Sequence, residues 1–348
     1  MTIENKLGKK LYDKVTSQSV VGNTTRGIMG KSSLRAAFLG GSVTFGYCPG
    51  RLEKITAFPE LVGEYLSERY NGSEILNLGI SGTTSLMGLV GAEMKVRDFE
   101  ADIVFVEYAI NDAMSRQSAE SFESLVRKLM AFEKAPVVVP VCVCTSRGHT
   151  CAPMIREICT HYGLLCVDIT ESVYPLFGDK LNWSDYSVDE GHPDEGGSRL
   201  IADCVIKAIE RLSQIPQGEA ILPSPLFSAR LEKLKICKDY KTDFTEKKEW
   251  LFYFDSCLEA AEKGYFEAEL DCSWAACVYV SSNDEGFGTA LASLDGNETC
   301  EIDAYSLFGW HNPVIEVIAD SKQSQSRKLR IELADKGKKF ILLCVVYC

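Results

Sequence analysis

The stretch Phe38-Leu39-Gly40-Gly41-Ser42-Val43-Thr44-Phe45-Gly46 decides the fold. It begins as an apolar run and ends in glycines around a serine. A strand of a parallel sheet reads as such a run, because both of its faces are covered. The glycines let the backbone turn sharply and leave room beside the serine. A hydroxyl at the carboxyl end of a central strand lies where open α/β sheets place their ligands. Ser42 is therefore a candidate nucleophile; taken alone it is equally a turn residue.

Outward from this stretch, strands alternate with helices. Apolar segments at 34–39, 74–78, 102–108, 137–144 and 164–167 read as strands. Segments at 58–69, 86–96, 122–132, 154–161 and 195–212 read as helices; Phe58, Leu61, Val62, Tyr65 and Leu66 show the i, i+3, i+4 spacing. Such alternation predicts a parallel sheet of about five strands with helices on both faces. Residues 1–33 read as a lead-in with a short helix near 9–15. Ile215-Pro216-Gln217-Gly218, followed by Pro223 and Pro225, reads as a boundary. Beyond it come short β-like segments at 250–254, 265–270, 276–280, 288–294, 314–318, 329–333 and 340–347. Turn pairs such as Asp295-Gly296 and Lys336-Gly337 separate them, which predicts an antiparallel sandwich. The expected divisions are 1–33, 34–214 and 215–348.

Composition narrows the classes. The chain has 348 residues, enough for two domains, with a hydrophobic content of 46% that suits a packed core. The net charge of -12 and the lack of a basic run argue against a nucleic-acid partner. No apolar stretch is long enough to span a bilayer, and the polar start Met1-Thr2-Ile3-Glu4-Asn5-Lys6 lacks a signal-peptide core, so a cytoplasmic location is expected. The 14 cysteines are scattered, several in strand-like runs, and read as small core residues of a reduced protein. Cys142, Cys144, His149 and Cys151 lie close in sequence, but their irregular spacing gives little support to zinc. No metal or other cofactor is expected.

Three further places could join Ser42. Asn77-Leu78-Gly79-Ile80-Ser81-Gly82 ends the second strand, where a glycine can expose its N–H; Ser81 and Thr83 are turn formers or pocket hydroxyls. Tyr108-Ala109-Ile110-Asn111-Asp112 follows the third strand, and a carboxamide there can donate to an oxyanion. Glu107, just before it, reads as a buried acid or a strand-end carboxylate bonded to a backbone N–H. Asp189-Glu190-Gly191-His192-Pro193 sets a carboxylate three residues before an imidazole on one loop. The P-loop, the dinucleotide fingerprint and the Gly-x-Ser-x-Gly elbow all fail around Ser42.

Together and in this order, these places resemble the four blocks of the SGNH (GDSL-type) hydrolase family. The family's Ser, Gly, Asn and His match Ser42, Gly79, Asn111 and His192, and its aspartate matches Asp189. The Gly40-Gly41-Ser42 form, with glycine in place of aspartate, looks like the branch that contains many carbohydrate esterases. The later segments, Trp310-His311-Asn312-Pro313 and Leu329-Arg330-Ile331-Glu332-Leu333 with the final apolar strand, resemble the small sandwich attached to some sugar-acting members. Trp310 would stack on a sugar or pack in that sandwich.

The resemblance implies a three-layer α/β/α hydrolase domain followed by an antiparallel β-sandwich. It implies a Ser42–His192–Asp189 triad, with Ser42, Gly79 and Asn111 forming the oxyanion hole. The implied activity is removal of a short acyl group, acetyl, from a carbohydrate or related small ester. Other readings are a lipid or thioester hydrolase, an acyltransferase, and a catalytically silent carbohydrate-binding protein.

Overall fold

The apolar run around Phe38 becomes the strand Arg35–Gly40 in the computed structural model, which describes residues 1–248 and 252–348. The chain divides into two units, Met1–Glu232 and Lys233–Cys348. Unit 1 opens with α1 (Ile3–Leu7), α2 (Lys9–Gln18) and β1 (Val20–Val21). Then come β2 (Arg35–Gly40), α3 (Ser42–Phe45), α4 (Phe58–Arg69), β3 (Glu74–Gly79) and α5 (Ser85–Gly91). A π-helical turn, Ala92–Val96, leads into α6 (Arg97–Phe99), followed by β4 (Ile103–Glu107) and α7 (Arg116–Met130). The unit continues with β5 (Val137–Cys142), α8 (Ala152–Tyr162), β6 (Cys166–Asp168), α9 (Ile169–Ser172) and α10 (Glu195–Leu212).

The strands of unit 1 form one sheet in the order β1-β6-β5-β4-β2-β3. The five expected strands pair in parallel; β1, from the segment read as a lead-in, adds an antiparallel edge through Val20 and Val21. Side chains alternate across the sheet, so one strand feeds two cores. Ala36, Phe38, Phe105 and Val139 pack with Phe58, Val62 and Leu66 of α4 and with Leu200, Val205 and Ile209 of α10. Phe38 stacks on Phe105 at 5.0 Å between ring centroids and meets Phe58 edge-on at 5.7 Å. On the other face Ala37, Leu39, Val104 and Val106 are buried, and α5, α7 and α8 contact the sheet. Helix α7 starts six residues before its expected position. Its first turn, Arg116-Gln117-Ser118, is polar and shows no apolar spacing, and Ser115 caps it by accepting the Ser118 N–H at 3.1 Å.

Residues 215–232, expected to open the second domain, are tied to unit 1. Glu123 of α7 is fully buried and accepts the backbone N–H groups of Leu226, Phe227 and Ser228 at 2.5–2.7 Å. The Tyr162 hydroxyl donates to the same carboxylate at 2.5 Å. Burial alone would push the Glu123 carboxyl up, but the Tyr162 hydroxyl and the three amides outweigh it and hold it below the usual range. Arg127 donates to the Pro223 carbonyl at 2.6 Å and pairs with Glu232 at 2.6 Å. Prolines here mark a segment that cannot continue a helix, and its polar groups find partners on α7.

Unit 2 comprises β7 (Lys235–Ile236), β8 (Lys241–Thr242), β9 (Thr245–Lys247), β10 (Cys257–Ala260), β11 (Tyr265–Ser282), β12 (Thr289–Leu294), β13 (Asn297–Asp303), β14 (Trp310–Leu333) and β15 (Phe340–Tyr347). The described pairings between these strands are antiparallel, and the main path runs β13-β12-β14-β11-β15-β10-β9. The expected strands at 265–270 and 276–280 are one strand of 18 residues, and those at 314–318 and 329–333 belong to one of 24. The breaks are β-bulges, not turns: the β11–β14 register shifts between Cys272 and Trp274 and again at Ala275/Ala276. Before the bulge β11 alternates, with Phe266, Ala268, Leu270 and Cys272 buried; after it, residues 274–282 are buried on both faces. Asp295 (φ 54°) and Gly296 (φ 81°) form the two-residue hairpin turn between β12 and β13. Of the expected strand at 250–254, residues 250–251 lie outside the described residues, 252–253 form a turn and 254 is a single bridge residue. Trp310 is not a core residue of the sandwich: it is 47% exposed and meets Phe252 edge-on. Among the described residues, no helix is long and apolar enough to cross a membrane.

The Glu123 node generates a stability prediction. Glu123→Ala leaves three buried N–H groups unpaired and lowers unfolding free energy by about 3 kcal/mol in urea titrations at pH 7. Because the folded state holds this carboxyl low, its contribution is present above the ordinary glutamate range and lost below it. The gap between native protein and variant therefore narrows as pH falls through that range.

Candidate active site

The strand order sets where the site lies. From β2 the chain goes to β3 on one side, then crosses back to β4 on the other, so the direction of winding reverses between β2 and β4. Their carboxyl ends leave a crevice at that reversal. Ser42 is the first residue of α3, directly after β2, and Asn111 follows β4 by four residues. The loop before α10 brings His192 to the same edge.

Two missing side chains make this convergence possible. A Cβ on Gly40 would lie 1.9 Å from Thr44 Oγ1 and 2.8 Å from the Glu107 carbonyl oxygen. One on Gly41 would lie 2.6–3.0 Å from all three end atoms of the Asn111 carboxamide. Asn111 therefore occupies the space that a side chain before Ser42 would take, which gives the Gly40-Gly41-Ser42 form a steric reason. Asn111 Oδ1 is buried without a hydrogen-bond partner.

Ser42 is 5% exposed, and its Oγ lies 3.1 Å from His192 Nε2. His192 Nδ1 lies 2.7 Å from Asp189 Oδ2. The other carboxylate oxygen of Asp189 accepts the N–H groups of Gly191 at 2.8 Å and His192 at 2.7 Å. One aspartate thus shapes the loop and orients the ring at its end. Burial pushes the Asp189 carboxyl up, but the His192 ring and these two amides outweigh that and hold it low. The loop is fixed from outside as well. Trp183 Nε1 donates to the Asp189 carbonyl at 2.5 Å, and Ser187 Oγ lies 2.7 Å from the His192 carbonyl. Ser146 donates its N–H to the Glu190 carbonyl at 2.7 Å. Tyr47, 43% exposed, meets the His192 ring edge-on at 4.9 Å; it escaped the sequence reading, since a lone loop tyrosine carries no signal.

Gly79 is placed differently from expectation. Its N–H donates to Asn77 Oδ1 at 2.9 Å and is not free for an oxyanion. It is glycine because a Cβ would lie 2.5 Å from the Phe45 nitrogen in α3. Three residues on, Gly82 (φ 74°) is exposed in the turn, and no acceptor among the described residues takes its N–H. Thr83 donates to the Ile80 carbonyl as a turn former, while Ser81 Oγ is buried without a partner. The Thr44 hydroxyl donates to Glu107 at 3.1 Å, and Asp112 accepts the Ser85 N–H at 3.0 Å; both carboxyls are buried. Of the cysteine cluster, Cys142 faces Cys166 at 3.7 Å, and Cys151 Sγ approaches the Tyr108 carbonyl at 3.9 Å. Among the described residues no group of three or more His, Cys, Asp or Glu could hold a metal ion.

The winding of the sheet, with a hydroxyl and an imidazole in contact at its carboxyl edge, is the architecture of a serine hydrolase acting on carboxylic esters. Residues 38–200 match the model of the GDSL-like Lipase/Acylhydrolase family. No curated protein matches the chain. The crystal structure of a two-domain esterase, CEX, active on acetylated mannans, is similar over 100% of this chain and 96% of that one, at 21% identity and TM-score 0.77. The same esterase co-crystallized with mannopentaose is similar over 99% and 95%, at 22% identity and TM-score 0.78. At this identity the likeness establishes a shared fold over both units.

The two glycines separate experimentally. Gly40→Ala drives a Cβ into backbone and the Thr44 stem, so it lowers the melting temperature. Gly41→Ala meets the movable end of Asn111 first; it keeps the fold by circular dichroism and lowers kcat on a carboxylic ester by about 10²-fold, the worth of one displaced donor.

Proposed function

We propose that this protein is an esterase that removes acetyl groups from hydroxyls of a carbohydrate through an acyl-enzyme on Ser42. The contact between Ser42 Oγ and His192 Nε2, continued to Asp189, carries the reading. The acetyl and carbohydrate parts draw on the two-domain architecture shared with an esterase active on acetylated mannans and on the Gly40-Gly41-Ser42 form.

In the first half-reaction, His192 Nε2 takes the Ser42 proton as Oγ attacks the ester carbonyl carbon. The carbonyl π pair moves onto oxygen. The Ser42 amide and the Asn111 side-chain nitrogen donate to that oxyanion. Collapse breaks the bond to the sugar oxygen, which leaves with the proton from His192. Water then attacks the acetyl-serine while His192 accepts its proton. Acetate departs, and the same proton returns to Ser42. Asp189, held low, stays ionised throughout; it fixes the tautomer and stabilises the imidazolium without accepting the proton.

The test is acetate release from acetylated mannan and xylan oligosaccharides by the full chain. Ser42→Ala loses both hydrolysis and labelling by a fluorophosphonate, with a loss of at least about 10³-fold in kcat. Asp189→Asn keeps the fold and loses up to about 10⁴-fold. Preference for octanoyl esters would favour the lipid reading, and acetyl transfer to an added sugar the acyltransferase reading. Unchanged hydrolysis in Ser42→Ala would overturn the nucleophile.

A further inference from the structure

One ionisable group touches the nucleophile turn without a part in the mechanism above. Glu107 ends β4 with no solvent exposure. Its carbonyl oxygen accepts the Gly41 N–H at 3.3 Å, and its side-chain Oε2 accepts the Thr44 hydroxyl at 3.1 Å. Both partners belong to the turn that carries Ser42. Gly41, the cap position of α3, has no side chain to serve the helix's free amides. Glu107 reaches in from the neighbouring strand instead. Its second oxygen, Oε1, is buried and has no hydrogen-bond partner.

We propose that Glu107 positions Ser42 from beneath α3 and that acyl transfer requires its carboxyl to be protonated. The proposal rests on Ser42 being the nucleophile. A carboxylate with one oxygen unserved in a dry site costs far more than the neutral acid. When it ionises, a negative charge forms directly under the turn that must stabilise the oxyanion. Like charges at that range raise the barrier.

The surroundings isolate this titration. Burial pushes the Glu107 carboxyl up to about 8. The Thr44 hydroxyl and the Gly41 and Thr44 amides pull it back, and Asp112 adds to the rise. The titratable groups coupled to it are Asp112 after β4, Cys151 ahead of α8 and Tyr186 from the loop that leads to His192. Burial raises Asp112 only to about 6, so it is ionised before Glu107 titrates. Burial pushes Cys151 up to about 12 and Tyr186 well above its ordinary value. Between pH 7 and 9.5, Glu107 is the member of this set that changes charge.

The experiment measures kcat and KM of the full chain on a soluble acetyl ester from pH 6.5 to 9.5, corrected for hydroxide hydrolysis. The native enzyme loses kcat on the alkaline side, on the order of tenfold. Glu107→Gln keeps the shape without the proton and removes that alkaline limb. Glu107→Ala lowers kcat at pH 7 by up to about 10²-fold with KM unchanged, the mark of a misplaced nucleophile. If Glu107→Ala does not fold, the Glu107→Gln profile alone decides. An unaltered alkaline limb in Glu107→Gln overturns the proposal. Ser42→Ala in the same assay keeps the two questions apart: if it remains active the nucleophile is wrong, and if it is dead while the limb persists only the role of Glu107 falls.

Discussion

The space left by two absent side chains governs the active edge of unit 1. At Gly40 the backbone of β2 passes so close to Thr44 and to Glu107 that no Cβ fits. At Gly41 the same closeness admits the Asn111 carboxamide. The helix α3 therefore begins flush against β4, and Ser42 enters it at a first-turn position, where amides are free. Gly79 extends the constraint to the other neighbour, since a Cβ there would strike α3 from the side of β3. Gly40 and Gly79 on adjacent strands and Gly41 at the helix cap let one short helix sit in the crevice where the sheet reverses. The steric demand comes first, and the position of the hydroxyl follows from it.

Much of this was legible before any coordinates. An apolar run followed by Gly40-Gly41-Ser42 marks a buried strand and a tight turn. The Asp189-x-x-His192 spacing marks a carboxylate able to orient its own loop's imidazole, and the 2.7 Å contact realises that spacing. The role of Gly79 was not legible. A glycine after a strand signals either an exposed amide or a close approach, and sequence does not distinguish the two. Asn77, two residues earlier, decides it by taking the amide. Asp112 was hidden for a similar reason: a polar residue in a turn looks solvated until α5 is seen to begin on it.

In unit 2 the limits are of another kind. Polar residues within an apolar alternation, such as Asp271 and Ser273, read as the ends of strands. In β11 they fall at an irregularity, where the register with β14 shifts by three residues between Cys272 and Trp274 and the strand continues. A bulge has no composition of its own; it is fixed by pairing with a strand some fifty residues later. The Asp295-Gly296 hairpin was readable because its geometry demands positive φ, which few residues tolerate. The boundary near 215 misled for the opposite reason. Proline rules out a helix without implying freedom, and Glu123 supplies the partners that bind the segment down.

Three carboxyls near the crevice show how environment divides one chemistry into separate roles. Asp189 is half-buried and held low by the imidazole and two amides, so its charge stands behind His192, where an imidazolium forms. Asp112 and Glu107 are buried with one oxygen each unserved, and both are pushed up. The effects on stability have opposite signs. Asp189 contributes stability that is present above the ordinary aspartate range and lost as pH falls. Asp112 and Glu107 contribute stability present below the ordinary range, lost as pH rises through about 6 and about 8. Near neutral pH, Asp112 has already ionised, and its charge is one reason Glu107 keeps its proton. Two buried acids that share a site cannot both ionise cheaply, and here the one beneath Ser42 is the one left neutral. Negative charge is thus present behind the imidazole and withheld beneath the serine, the distribution that the proposed acyl transfer calls for.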